Sequence, residues 1–357
     1  MFCWGGWSAG SLRNERNLLG SFLIMQDSCD SSPQIGKDTT STRAVNLPNP
    51  GVGRAGSRVL SSSRTIFIIV IALALIIFAA CDHRQRIVVG CKNFTEQIIL
   101  GELIAQQIEN KTHLPVERRF YLGGTYIAHQ SVLAGRIDIY PEYTGTALTA
   151  ILKETSPVRA GSNPKLVFDR VKSEYEGHFH LTLGPPFGFD DTFAIEIRGE
   201  DARRLHLQTI SQAAADTPQW RAGFGYEFME RPDGYKGLVS TYDLRFAAPP
   251  RIMDLGLLTR ALKDRQVDVI AGNMTDGLIP ALDLFVLEDD KHYFPPYEAV
   301  PVIREQTLAE HPEVRQALDE LAGKISDSKM RELNYEVDGR KRDVKEVVRE
   351  FLRSKGM

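Results

Sequence analysis

The amino-acid sequence predicts an α/β protein made of two doubly wound lobes joined by two hinge crossings. From Arg86 onward, short β-branched runs alternate with longer amphipathic patterns, as strands and helices do in such sheets. The chain has 357 residues, enough for two lobes of ordinary size. Two proline-marked breaks bracket the middle of the alternation, as expected if one lobe is inserted into the other.

The first lobe is predicted to comprise residues 86–186 and 298–357. It opens with the strand RIVVG and the helix FTEQIILGELIAQQIEN, for which Asn93 and Glu96 form a candidate cap. The later segments are the strand VERRFYL, the helix GGTYIAHQSVLAG, the strand RIDIY, a helix beginning near Gly145, the strand AVPVIR and helices beginning near Thr307, Asp327 and Lys341.

The second lobe is predicted to comprise residues 187–297, with hinges near 184–187 and 294–297. Each hinge carries a pair of prolines next to a glycine or a phenylalanine. The segments between them are the strand TFAIEIR, the helix TISQAAADT, the strand WRAGFG, a helix at 235–242, the helix DLGLLTRALKDRQ and the strands VDVIAG and FVLEDD.

Residues 65–81 are predicted to be a signal peptide that ends in a lipidation site. The apolar run IFIIVIALALIIFAA has 15 residues, which is short for a membrane span and typical of a signal-peptide core. The junction Phe78-Ala79-Ala80-Cys81 resembles a bacterial lipobox, so Cys81 is the expected acylated residue. An uncleaved signal anchor is the alternative. Residues 1–64 lack an apolar period and are predicted to be a disordered extension or a misassigned start.

Composition and charge exclude several classes of function. The first 80 residues hold 7 basic and 4 acidic residues, which leaves 36 and 42 in the rest, a formal charge of −6 that argues against a nucleic-acid partner. The four cysteines lie too close to the N-terminus for a disulfide framework, and Cys91 is expected to be buried. The eight histidines show no metal-ligand spacing, so no metal site is predicted. The sequence has no nucleophile motif, so we expect neither a cofactor nor enzymatic activity.

Five segments resemble the glycine betaine/choline osmoprotectant-binding family of bacterial ABC importers. They are CKNFTEQIILGE (91–102), FYLGGTYIAHQSVLAGRIDIYPEYTGTAL (120–148), GYEFMERPDGYKGL (225–238), MTDGLI (274–279) and LEDDKHYFPPYEAVPV (287–302). The resemblance covers roughly residues 86–352. It implies the type II periplasmic-binding-protein fold, which closes by a hinge motion around one ligand.

Such a ligand sets two chemical requirements. A trimethylammonium head donates no hydrogen bonds and is attracted to the faces of aromatic rings. A buried carboxylate requires an Arg, a Lys or backbone donors. Matched by motif position, the resemblance implies a cage around the head formed by Tyr143, Thr146, Phe193, Asn273 and Tyr297, with Asp191 beside it.

Two basic residues match positions that hold the ligand's carboxylate or line its pocket. They are Lys92 in CKNF and Arg231 in FMERPDG, and together they favour a zwitterion over choline. Many relatives carry tyrosine where this chain has Phe193 and Asn273, which implies a thinner cage and altered specificity.

Each of these residues has a structural alternative. For Tyr143, Phe193 and Tyr297 the alternative is a packing role. Arg231 has Asp233 two residues away as a candidate partner, and Asn273 is suited to shaping the turn before Asp276.

The predicted function is capture of a quaternary-ammonium osmolyte, glycine betaine or a related zwitterion, for an ABC permease and its ATPase. The protein is expected to act as a monomer in the periplasm, held at the outer face of the inner membrane by its lipid or signal anchor. An extracytoplasmic receptor or sensor for a related cationic solute is the alternative.

Overall fold

The computed structural model describes residues 86–154 and 163–357. The predicted disordered extension at 1–64, the signal peptide or anchor at 65–81 and the lipidation site Cys81 all lie outside the described residues. Within the described ranges, no helix combines the length and the apolar character needed to cross a membrane.

The first sheet has the strand order β2-β1-β3-β10-β4. Its strands, numbered along the chain, are β1 (Ile87–Gly90), β2 (Val116–Arg119), β3 (Ile139–Tyr143), β4 (Leu181–Leu183) and β10 (Ala299–Arg304). The first three run parallel, whereas β10 runs antiparallel to β3 and β4. The chain therefore returns to this sheet after completing another one.

Helices cover the first sheet. They are α1 (Thr95–Thr112), α2 (Thr125–Leu133), α3 (Thr144–Thr146) with a π-helical turn at Ala147–Ile151, α4 (Pro164–Phe179), α11 (Glu305–Glu310), α12 (Glu313–Asp319), α13 (Asp327–Asp338) and α14 (Val344–Ser354). The C-terminal helices α12, α13 and α14 all pack against α1, as expected of helices that cover the first lobe. This leaves α1 mostly buried from Glu96 to Ile108, whereas its last turn reaches the surface.

The second sheet has the order β7-β6-β8-β5-β9. Its strands are β5 (Phe193–Arg198), β6 (Ala222–Gly225), β7 (Arg251–Met253), β8 (Val269–Asn273) and β9 (Leu284–Leu287), and its helices are α5 (Gly199–Leu205), α6 (Ile210–Ala213), α7 (Tyr226–Glu230), α8 (Tyr235–Tyr242), α9 (Leu255–Lys263) and α10 (Leu278–Ala281), with a 3₁₀ turn at Thr217–Gln219. Strand β5 is antiparallel to both of its neighbours.

Two crossings connect the sheets and lie side by side. The first runs from β4 to β5 and the second from β9 to β10. Asp190 forms an antiparallel bridge with Glu298, and the backbone N–H of Asp191 donates to the carbonyl of Tyr297 at 3.2 Å. The crossings therefore form one short hydrogen-bonded connection between the sheets, and the predicted hinge segments lie in it or at its ends.

Several local predictions were wrong. Strand β3 is Ile139–Tyr143 rather than the predicted RIDIY at 136–140, and α4 and β4 were not predicted. The helix expected from Thr307 is two helices, α11 and α12. Asn93 does not cap α1. The cap residue is Phe94, whose hydrocarbon side chain has no acceptor for a cap hydrogen bond. The Glu96 carboxylate accepts from Tyr143 and Asn334 instead of completing a capping box.

Candidate ligand-binding site

The predicted site residues lie where the two sheets face each other across the crossings. Tyr143 is the last residue of β3, Asn273 is the last residue of β8 and Phe193 is the first residue of β5. Lys92 follows β1 by two residues, and Tyr297 lies in the second crossing. Carboxyl ends of parallel strands are where open α/β sheets bind ligands, so the topology itself places a site here.

One group of predicted residues is built around the guanidinium of Arg231. Its carbon lies 4.9 Å from the centre of the Phe193 ring and 5.8 Å from that of Tyr297. These two rings meet edge to face with centres 5.8 Å apart. Nη1 of Arg231 donates to the hydroxyl of Thr146 at 3.2 Å. The structure therefore brings four predicted residues together, with a protein cation on the two rings.

Arg231 is paired with Asp233, which was the alternative considered from the sequence. The guanidinium donates to Asp233 through Nε at 2.9 Å and through Nη2, and the Tyr297 hydroxyl donates to the same carboxylate. Burial alone would lower the pKa of Arg231, but the Asp233 charge and bonds more than offset it, so the pKa is raised. Asp233 keeps a pKa below its usual range because Arg231 outweighs the effect of burial.

A second group lies around Tyr143 and contains another buried ion pair. The ammonium of Lys92 forms an ion pair with Glu142 and lies 5.1 Å from the centre of the Tyr143 ring. Burial raises the pKa of Glu142, and the charge of Lys92 partly offsets this. Both basic residues expected to hold a ligand carboxylate thus have a carboxylate of the protein as partner.

Two further buried carboxyl groups, those of Glu96 and Asp191, meet at the Thr275 hydroxyl, which lies within hydrogen-bond distance of both. The Tyr143 hydroxyl donates to Glu96 at 2.7 Å. Burial raises the pKa of Glu96 and of Asp191, and the neighbouring Glu96 charge raises that of Asp191 further. Because one hydroxyl proton cannot serve two carboxylates, a cation or a proton must compensate this pair.

Asn273 adjoins both of these groups. It is paired with Phe193 across the sheet, and it lines a cavity of about 280 Å³ between the lobes together with Glu96 and Thr275. Asn273 therefore links the expected cage to this cavity.

Several hydrogen bonds join the two lobes across the cleft. The Glu227 carboxylate accepts from the backbone N–H and from the hydroxyl of Thr125, the first residue of α2. Arg331 donates to the carbonyl of Met274 at 2.9 Å. Tyr143 and Tyr297 are 4% and 1% exposed, so a ligand reaches their rings when the lobes separate.

Sequence reasoning missed several residues at the site. They are Glu96, Gln97, Glu142, Thr275 and Asn334, and all of them are buried. A polar residue inside an otherwise apolar strand or helix face is the signal that could have identified Glu96, Gln97 and Glu142. For Asn334 the sequence offers no such signal, because its partners are distant in the chain.

Comparison with known proteins identifies the family. The family model for the substrate-binding domain of the ABC-type glycine betaine transport system matches residues 85–354. The chain belongs to this family.

Named relatives and solved structures agree with the membership. The carnitine transport binding protein OpuCC of Listeria monocytogenes is 37% identical over 275 residues, covering 76% of this chain and 87% of that protein. The glycine-betaine-binding protein of Pseudomonas aeruginosa is 32% identical over 301 residues, covering 82% and 94%. A crystal structure described as a glycine betaine/carnitine/choline ABC transporter has a TM-score of 0.63 at 34% identity, covering 75% and 98%.

Membership in the glycine betaine transport family confirms the expected fold and class of function. The bilobal type II periplasmic-binding-protein fold is that of its solved relatives. The family consists of substrate-binding proteins of ABC importers, which act outside the cytoplasm and present a small ligand to a permease. It is a family of transport proteins rather than of enzymes.

Proposed function

We propose that this chain captures a quaternary-ammonium osmolyte, glycine betaine or a related compound, and delivers it to an ABC permease. The observation that carries the proposal is the charge of the site. Arg231 and Lys92 are each matched by one carboxylate, whereas Glu96 and Asp191 are buried together without a basic partner of their own among residues 86–154 and 163–357. A ligand cation would supply the missing positive charge.

The aromatic residues suit a cation that cannot donate hydrogen bonds. The guanidinium of Arg231 lies over the rings of Phe193 and Tyr297, and the ammonium of Lys92 lies over the ring of Tyr143. Each of these rings therefore already makes a cation–π contact within the protein. Each ring contributes on the order of 0.5 to 2 kcal/mol to a desolvated cation. A ligand cation at this place would be attracted by the ring faces and would also neutralise the carboxyl groups of Glu96 and Asp191.

Ligand entry requires a hinge motion at the two crossings. The hydrogen bonds of Glu227 with Thr125 and of Arg331 with Met274 would break as the lobes open. The crossings would remain joined through Asp191 and Tyr297. Ligand contacts with both lobes would then shift the population toward the closed form. The lobe boundaries at 186/187 and 297/298 are part of this proposal.

The proposed setting follows from the sequence. A lipid attached to Cys81, or an uncleaved anchor at 65–81, would hold the protein at the outer face of the inner membrane, next to its permease. One ligand site per chain and no requirement for a second subunit in this mechanism fit a monomer.

A ligand panel tests the proposed function. Thermal unfolding of the purified full chain is measured with glycine betaine, proline betaine, carnitine and choline, and with an uncharged sugar as the control. A ligand at 100 times its Kd stabilises the folded state by about 2.7 kcal/mol. At least one quaternary-ammonium compound should raise Tm in a dose-dependent way. If none of them does so, the proposal is wrong.

A further inference from the structure

The guanidinium of Arg231 has little capacity left for a ligand carboxylate. It donates to Asp233 through Nε at 2.9 Å and through Nη2, and to the Thr146 hydroxyl through Nη1 at 3.2 Å. Three of its five N–H groups are therefore used by the protein. The first two form the bidentate contact with which arginine binds a carboxylate, and Asp233 already occupies it.

Asp233 is fixed at this position by more than Arg231. The Tyr297 hydroxyl also donates to its carboxylate, and the side chain is 4% exposed. A ligand carboxylate that displaced Asp233 from Arg231 would leave a buried carboxylate without its cation, which is strongly destabilising. The charge of Arg231 therefore stays neutralised by Asp233 while a ligand is bound.

Lys92 is neutralised in the same way. Its ammonium pairs with Glu142, and the two side chains are 3% and 0% exposed. Oε1 of Glu142 also accepts from the backbone N–H of Tyr143 at 2.8 Å. Glu142 lies within β3 and is paired with Val300 of β10, so the sheet holds its backbone in place. Each of the two basic residues at the site thus has a fixed carboxylate as its partner.

The other carboxyl groups at the site add no positive charge to offset. Glu96 and Asp191 both lie within hydrogen-bond distance of the Thr275 hydroxyl, and within residues 86–154 and 163–357 neither forms an ion pair with a lysine or an arginine. Two carboxyl groups this close do not both ionise readily, so the pair is neutral or singly negative before a cation binds. The two ion pairs have no net charge. The site as a whole is therefore neutral or negative.

These charges favour one class of quaternary ammonium over another. A trimethylammonium head is attracted by the ring faces of Tyr143, Phe193 and Tyr297 whatever tail it carries. A carboxylate on the tail, however, loses its water without gaining an unpaired cation, and the nearby carboxylates of Asp233 and Glu142 repel it. An uncharged polar tail avoids both costs.

We infer that this site prefers a quaternary ammonium with an uncharged polar tail, which bears a net positive charge, over a zwitterion. The sequence alone favoured a zwitterion because of Lys92 and Arg231, whereas the structure places a protein carboxylate on each of them. The inference rests on the proposed function, because it concerns which compound of that class binds at the same rings.

Glycine betaine and its amide test the preference. In (carbamoylmethyl)trimethylammonium, an amide replaces the carboxylate of glycine betaine, so the two compounds have nearly the same size and shape and differ in net charge. Affinities of both compounds for the full chain are measured by isothermal titration calorimetry at pH 7.5. Because an unpaired buried charge is costly, the amide should bind at least roughly tenfold more tightly than glycine betaine.

Two variants locate the cause of the preference. Asp233→Asn frees the charge of Arg231 and Glu142→Gln frees that of Lys92, so each should improve the binding of glycine betaine and reduce the preference for the amide severalfold. Asp243→Asn is the matched control, because Asp243 and its partner Arg245 are 84% and 76% exposed. Circular dichroism shows which variants fold, and the comparison on the parent chain decides the inference even if neither cleft variant does.

The outcomes separate this inference from the proposed function. If glycine betaine binds as tightly as the amide or more tightly, the inference is refuted and the proposed function stands. A preference for the amide that persists unchanged in the folded cleft variants also refutes the inference, because the ion pairs are then not its cause. If the amide binds and glycine betaine does not, both are supported. If neither compound binds, the inference is refuted and the ligand panel decides the proposed function on its own.

Discussion

The carboxylate of Asp233 accepts two hydrogen bonds from the guanidinium of Arg231, at 2.9 Å from Nε and 2.5 Å from Nη2. Both side chains are about 95% buried. The guanidinium of this pair also makes cation–π contacts with the rings of Phe193 and Tyr297. Removing one partner of a buried pair leaves the other charge uncompensated, which makes this pair a sensitive point for stability.

We expect Asp233→Asn to lower the free energy of unfolding by roughly 3 kcal/mol, the range for breaking a buried ion pair. Urea denaturation followed by circular dichroism measures the change. Asp243→Asn is the matched control, since Asp243 has the same spacing to Arg245 but the two side chains are 84% and 76% exposed. The exposed pair should contribute less than about 1 kcal/mol. Equal losses in the two variants would contradict the account.

The role of Arg231 in ligand choice gives a second prediction. If Arg231 binds the carboxylate of the ligand as well as that of Asp233, Arg231→Ala should lower the affinity for glycine betaine by at least about tenfold. The affinity for choline should fall much less, because choline has no carboxylate to leave unpaired. Calorimetric titrations of both ligands measure the ratio. Equal losses would show that Arg231 supports the rings rather than the ligand, and would remove the reason for preferring a zwitterion.

The rings give a third prediction. Tyr143→Ala and Tyr297→Ala should each weaken binding of glycine betaine by about 1 kcal/mol or more, because each ring contributes to cation binding. Tyr226→Ala is the control, since Tyr226 is 65% exposed. Calorimetry measures all three variants. Unchanged affinity in both cage variants would eliminate the aromatic site.

Helix α2 begins at Thr125, whose backbone N–H donates to the Glu227 carboxylate of the opposite lobe. Glu227→Ala removes this contact and should favour the open form. The loss of a helix-capping carboxylate is worth about 1 kcal/mol, roughly a fivefold shift in population. Small-angle X-ray scattering should show a larger radius of gyration without ligand. Glu230→Ala, an exposed position at the end of α7, should leave the radius unchanged. A Glu227 variant with the parent radius would argue against this contact as a closing element.

Because the carboxyl group of Asp190 is largely buried, we expect the free energy of unfolding to depend on pH. Burial raises its pKa from 3.8 to about 6. The folded state therefore binds the proton more tightly than the unfolded state, so the stabilisation is complete below the unfolded value and is lost as pH rises toward 6. The full effect is roughly 3 kcal/mol.

Asp190→Asn should remove this dependence, because the amide oxygen still accepts from the N–H of Tyr297. The difference in unfolding free energy between parent and variant, measured from pH 4 to pH 7.5, should change by roughly 2.4 kcal/mol, because the unfolded carboxyl group is already partly ionised at pH 4. Asp169→Asn, at an exposed surface position, should leave the curve of the parent unchanged. A flat difference for Asp190→Asn would contradict the assignment.

Much of the fold was predictable because hydrophobic periodicity is local. Helix α1 and strand β5 follow directly from their patterns, and the proline pairs marked the crossings. Strand β3 was placed three residues too early, and the predicted and observed segments share Ile139 and Tyr140. Its register is set by pairing with β10, more than 150 residues away in sequence.

Motif positions indicated which residues meet between the lobes, but only one of the two ion pairs among them. Motif positions singled out Thr146, Phe193, Arg231 and Tyr297, and the structure places these four side chains together. The pairing of Arg231 with Asp233 was among the alternatives that their spacing offered. The pairing of Lys92 with Glu142 was not, because the two residues are 50 positions apart and meet only through the fold. Asn334 joins the site through tertiary packing of α13, for which no local pattern exists.

The central claim is that the site selects a quaternary ammonium for its charge and not for its shape alone. The most direct measurement is calorimetric titration of the full chain with glycine betaine and with 3,3-dimethylbutanoate, in which carbon replaces the charged nitrogen. Glycine betaine should bind at least roughly tenfold more tightly, because aromatic faces and the Glu96–Asp191 pair attract the cation. Equal binding of the two compounds, or no binding of glycine betaine, would contradict the account.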